Sequence, residues 1–77
     1  MTGNEVYIIM RREALSGRET ILSLHATFDG AYEVMEIRRD YWLSKGYTIK
    51  GDLDYFQVLE CGRLVKCYWV LTRTMEE

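Results

Sequence analysis

Large apolar side chains occupy both odd and even positions in the segments of this chain that read as strands, while only one segment carries the period of a helix. Leu53, Tyr55, Leu59, Leu64, Tyr68 and Val70 stand opposite Phe56, Val58, Val65, Cys67, Trp69 and Leu71. Strands that are apolar on both sides are buried on both sides. A single helix covers one face of a sheet, so the pattern predicts that the other face is covered by a partner.

The first strand lies between Glu5 and Ala14, built on the β-branched and aromatic run Val6-Tyr7-Ile8-Ile9-Met10 and turning polar at Arg11-Arg12-Glu13. Leu15 to Glu19 supplies turn residues, and Thr20 to Phe28 then alternates. Strict alternation puts Leu22, Leu24, Ala26 and Phe28 on one face, with Ser23, His25, Thr27 and Ile21 on the other. Asp29 is the expected N-cap. Ala31, Val34, Met35, Arg38, Tyr41 and Trp42 fall on one arc at about 100° per residue, opposite Glu33, Glu36, Asp40 and Ser44. Gly46, tolerant of left-handed geometry, should end the helix just after Lys45.

An irregular polar stretch, Thr48 to Asp52, is expected to lead into a third strand, Tyr55 to Leu59. Glu60-Cys61-Gly62-Arg63 reads as a tight turn with Gly62 at positive φ, and the fourth strand returns from Leu64 to Arg73. An uninterrupted register would pair Leu59 with Leu64, Val58 with Val65, Phe56 with Cys67 and Tyr55 with Tyr68, with Glu60 and Arg63 closing the turn as opposite charges. Met75 to Glu77 is expected to be a frayed tail.

The predicted fold is α+β: one domain over residues 1–77, in ββαββ order, with a four-stranded antiparallel sheet and one helix packed on one face. Leu22, Leu24, Phe28, Phe56, Val58, Val65, Trp69 and Leu71 are assigned to the helix side. Tyr55, Leu59, Leu64, Tyr68 and Val70 are assigned to the open side as candidate interface residues, and Arg38 to the rim of the helix arc.

At 77 residues such a core is marginal alone, and association would help it. The 48% apolar content excludes a disordered tail, and the absence of a long apolar run gives no membrane-spanning segment. Twelve acids against ten bases, a net charge of −2, steer the surface toward neither phosphate backbones nor anionic lipid. The residues at the start, Met1 to Glu5, lack the basic and apolar regions of an export signal, so a cytoplasmic location and free thiols at Cys61 and Cys67 are expected.

No catalytic, cofactor or metal motif emerges. His25 stands among Ser23 and Thr27 without a carboxylate at fixed spacing, and reads as a hydrogen-bonded structural residue. Asp52 and Asp54 would point the same way in an extended segment, but no third or fourth oxygen ligand follows. Cys61 and Cys67 match no zinc-ligand pair. Arg11, Arg12 and Arg18, with Tyr7, Tyr55 and Tyr68 as a stacking platform, allow a second reading, single-stranded nucleic-acid binding. The aliphatic neighbours Leu53, Leu59, Leu64 and Val70 disfavour it.

The run Val6-Tyr7-Ile8-Ile9, then Glu13, then Ile21 to Phe28 leading into Asp29-Gly30-Ala31, resembles the start of short uncharacterised ββα-type domains of bacteria and their phages. The resemblance covers the first half of the chain. It implies a small, non-enzymatic protein-binding module, a phage-borne inhibitor that occludes a host protein in the manner of anti-CRISPR or other anti-defence proteins. The expected partners are a second copy, as a homodimer, and another protein as target.

Overall fold

The computed structural model describes residues 4–75 and the side chains of residues 4–74. Its elements are β1 (Asn4–Glu13), β2 (Glu19–His25), α1 (Phe28–Ser44), β3 (Thr48–Asp52), β4 (Tyr55–Glu60) and β5 (Arg63–Met75). The strands form one five-stranded sheet in the order β2-β1-β5-β4-β3, antiparallel throughout. The β1–β2 hairpin and the β3–β4–β5 meander therefore meet at the long central pair β1/β5, and α1 lies across one face. The expected α+β class and single helix hold. Met75 closes β5, while Glu76 and Glu77 of the expected tail lie outside the described residues.

The fifth strand, β3, arises from the stretch expected to be irregular. It is an edge strand whose inward apolar contribution is Ile49, packed on the core, so polar Lys50 and Asp52 do not prevent pairing. Gly51 sits at φ 113°, and an added Cβ there would run into the Tyr55 carbonyl oxygen.

Thr27, not Asp29, caps the helix: its Oγ1 accepts a hydrogen bond from the Gly30 amide at 3.1 Å. Asp29 instead lies inside the first turn, where its charge favours the positive end of the helix. The C-terminus follows the expected signal. Gly46 at φ 90° donates to the Leu43 carbonyl, and the Tyr47 amide donates to the Trp42 carbonyl at 3.1 Å. Together these bonds make a Schellman motif. Its usual apolar clasp is an edge-to-face contact between Trp42 and Tyr47, 4.9 Å between centroids.

Two β-bulges decide which side chains meet the helix. Ile9 pairs with Ser23 but Met10 pairs with Ile21, leaving Leu22 extra. Likewise Leu59 pairs with Leu64 but Val58 pairs with Lys66, leaving Val65 extra. Each inserted residue flips the faces of everything beyond it. The expected pairings of Leu59 with Leu64 and Glu60 with Arg63 are present, whereas Phe56 faces Tyr68 and Tyr55 faces Trp69. The turn between them has positive φ at Cys61 (51°) as well as Gly62 (78°), the pattern of a type I′ hairpin.

The core beneath the helix is Ile9, Ala31, Met35, Phe56, Val58 and Tyr68, all buried, with Tyr7, Leu22, Val34, Trp42, Ile49, Leu53 and Val70 packed around it. Tyr68 and Val70 are thus core residues, which corrects their assignment to the open face. Tyr68 is 1% exposed, stacks on Phe56 and accepts a hydrogen bond from Trp42 Nε1 at 2.9 Å. Conversely, Trp69, Leu71 and Leu24 leave the helix side for the open one, as their pairing through Met10 and Ile8 requires.

Candidate functional site

Cross-strand partners share a face, so the open side of the sheet can be followed row by row. One row reads Leu24, Ile8, Leu71 from β2 to β5, and the next reads Ile21, Met10, Trp69, Tyr55, Asp52 from edge to edge. A third reads Glu19, Arg12, Cys67, Gln57, Lys50. Beyond it Leu64, Leu59 and Thr48 form a shorter apolar row. Ile21 (59%), Leu24 (62%) and Tyr55 (48%) are widely exposed, and Leu64 also faces water.

Across these four rows β5 and β4 carry no charge, Arg12 stands on the inner strand β1, and the other charges lie on the edge strands, while Arg73 follows Leu71 along β5. Arg12 approaches Glu19 at 3.9 Å, and Lys50 and Asp52 lie on the edge strand β3. Cys67, 7% exposed, lies beneath the Tyr55 hydroxyl, which donates to its Sγ at 3.8 Å. That hydrogen bond is the largest cause of a Tyr55 pKa raised above its ordinary value. Cys67 is therefore buried on the open side, not against the helix as the uninterrupted register would have it, while Cys61 is exposed and both thiols are free.

Of the candidate interface residues, the structure brings Tyr55, Leu59 and Leu64 together on the open face and separates Tyr68 and Val70 from them. Arg38 is half-buried on α1 and makes no ion pair among the described residues. Near it on the outer helix surface, Ile37 and Tyr41 are exposed. Trp69 belongs to the open face although plain alternation puts it on the helix side, because the bulge at Val65 is hard to see in a strand with large apolar side chains on both faces; Met10 and Ile21 join it there.

The base-stacking platform is not assembled. Tyr7 and Tyr68 pack on the helix side and Tyr55 on the other. Arg11 is paired with Glu13 at 3.2 Å on the helix side, and Arg12 with Glu19 on the open side.

His25 is held by Ser23, Oγ to Nε2 at 2.8 Å, near the first turn of α1. The adjoining groove includes Glu5, Tyr7 and Phe28. There the Tyr7 hydroxyl donates to Glu5 at 2.7 Å, which raises the tyrosine's pKa, so this carboxylate is engaged by a phenol, and among the described residues no carboxylate orients the imidazole. Asp52 and Asp54 flank the β3–β4 turn, and among the described residues no three histidine, cysteine or acidic side chains converge on a metal-sized site. Among those residues no helix is long and apolar enough to cross a membrane. Comparison with protein-family models, curated proteins and solved structures finds no match to this chain.

Proposed function

We propose that this chain is a non-enzymatic protein-binding module that associates through the open face of its sheet and acts by occluding a surface of another protein. The observation that supports the reading is an apolar surface on that face, with Ile21, Leu24, Tyr55 and Leu64 in water and Trp69 and Met10 partly so unless a protein covers them. Association through the sheet leaves α1 outermost, where Ile37 and Tyr41 beside Arg38 offer aromatic, aliphatic and guanidinium groups, types that anchor interfaces. The resemblance of the first half of the chain to short domains of bacteria and their phages supports a role as a phage-borne inhibitor of a host protein.

The test compares the immobilised wild-type chain with Trp69→Glu and Tyr41→Glu, each checked for native circular dichroism, in extract from the native host. Tyr41→Glu should release the target while leaving self-association intact, and Trp69→Glu should abolish self-association. Binding that survives both substitutions would refute the reading.

A further inference from the structure

We infer that the open face is covered by a second copy of this chain, related by a two-fold axis parallel to β5. This rests on the reading of that face as a protein-binding surface and adds the occupant and its orientation.

Three observations lead to it. First, size: the molecule is 24 Å across its second axis. Strands about 4.8 Å apart with a rise of about 3.4 Å per residue give the open face a footprint on the order of 700 Å², near the roughly 800 Å² per partner of a standard interface.

Second, symmetry: with five strands, β5 is the middle one. Rotation about an axis along β5 sets β1 of one copy over β4 of the other and β2 over β3, and keeps every transverse row facing itself. The row through Met10 and Trp69 then meets its own reverse, Trp69 on Trp69 and Met10 on Tyr55, with exposed Asp52 over Ile21 at the edges. A two-fold across the strands, centred on that apolar row, would instead lay the polar row through Arg12 and Gln57 over the apolar row through Ile8 and Leu71, leaving polar groups unpaired.

Third, charge: the polar row begins with Glu19 at the β2 edge and ends with Lys50 at the β3 edge. Reversed against itself, it places Glu19 of each copy over Lys50 of the other, Arg12 over Gln57, and Cys67 over Cys67. That row, acidic at one end and basic at the other, is self-complementary under this axis and under no like-end pairing; the like-charge contact the axis makes, Arg73 over Arg73 beyond Leu71, falls among exposed residues past the end of the β4 pairing.

The experiment measures dimer dissociation by sedimentation velocity for the full chain and for Glu19→Lys, Lys50→Glu, their combination and Trp69→Glu. Glu36→Lys, on the outer surface of the helix, controls for net charge. Each single reversal at position 19 or 50 should weaken the dimer by about tenfold or more, because two rim attractions become two repulsions. The combination should return to within about threefold of wild type, and Glu36→Lys should change little. The decisive arm mixes the two single variants: Glu19→Lys and Lys50→Glu protomers should pair with each other more tightly than either pairs with itself, which only contacts between copies produce. A mixture no tighter than its components would overturn the axis. A wild-type chain that stays monomeric at high micromolar concentration would overturn the second copy as occupant while leaving a foreign partner for the same face. A dimer undisturbed by Trp69→Glu would overturn the open-face reading itself.

Discussion

Replacing Trp42 by Phe should destabilise the fold through one identifiable atom. Trp42 Nε1 is the donor to the hydroxyl of Tyr68, a residue 1% exposed at the centre of the core. Phe at position 42 keeps most of the apolar contact with Tyr47 but leaves that hydroxyl without its donor, a loss of about 1–3 kcal/mol, with up to about 1 kcal/mol more from the smaller ring. Tyr68→Phe removes the acceptor instead. Because Trp42 is only partly buried, its N–H can turn to water, so this change should cost only about 0.5–1.5 kcal/mol. The double variant removes both polar groups and should be more stable than the sum of the singles predicts, by about 1–2 kcal/mol. Urea unfolding followed by far-ultraviolet circular dichroism measures all four proteins. A single protein concentration is needed throughout, since association shifts apparent stability. Singles that add to within about 0.5 kcal/mol would show that the Trp42–Tyr68 bond contributes nothing and that α1 is held by shape alone.

Three further outcomes follow from the geometry. Gly51→Ala should break the β3–β4 hairpin, because the new methyl meets the Tyr55 carbonyl, whereas Gly62→Ala, with open space around it, should cost only about 1–2 kcal/mol for its positive φ; equal melting temperatures would contradict this. Glu13 is held below its ordinary pKa by hydrogen bonds from Lys66 at 2.9 and 3.0 Å, so its stabilising effect is present above the ordinary carboxylate range and disappears as pH falls through the depressed value. Wild type should accordingly outlast Glu13→Gln at neutral pH and converge with it in acid, and a gap independent of pH would sink the assignment. An alkylating reagent should modify exposed Cys61 quickly and Cys67 slowly, and Trp69→Glu should speed labelling of Cys67 if a second copy seals it; rates for Cys67 unchanged in that variant would count against the seal.

The helix, its C-terminal stop and the first and last hairpins were legible because they are set by local signals: a 3.6-residue period, Gly46, and turns rich in Gly and polar residues. The face assignments in β2 and β5 were not. Alternation reports which side a residue takes only while the register is unbroken, and the mark each bulge leaves is no more than a successive apolar pair, Ile21-Leu22 and Leu64-Val65, which does not say which of the two is extra. The type I′ turn did carry a signal that Cys61 as well as Gly62 takes positive φ, since a two-residue hairpin loop favours it at both positions. Strand β3 was hidden for a different reason: its inward apolar side chain is Ile49 alone, since Lys50 and Asp52 face the open side and Gly51, opposite Phe56, has no side chain.

The two sides of the sheet treat their uncovered areas in opposite ways, and this contrast is the strongest physical argument for a partner. On the helix side, near the C-terminal end of α1, the sheet surface carries Arg11, Glu13 and Lys66, joined in a short ion network with the Lys66 ammonium 5.5 Å from the Trp42 ring centroid. At the β2 edge of the same side stand Ser23 and His25, bonded to each other. Where this chain leaves the margins of the helix side, it places groups that water or a counter-charge can satisfy. The open side could have been made the same way, since a strand needs only one apolar face to hold a helix. Instead Ile8, Met10, Trp69 and Leu71 line its inner strands and Ile21 and Leu24 its β2 edge, with Arg12 on β1 and with Glu19, Lys50 and Asp52 on the edge strands. A largely apolar inner surface with most of its charge on the edge strands is the anatomy of an interface. Marginal stability of so small a core gives the same face a second role, because a protein bound to the folded state alone stabilises it by mass action. Binding and folding are then coupled, and substitutions such as Trp69→Glu should lower the concentration dependence of the melting temperature as well as the affinity.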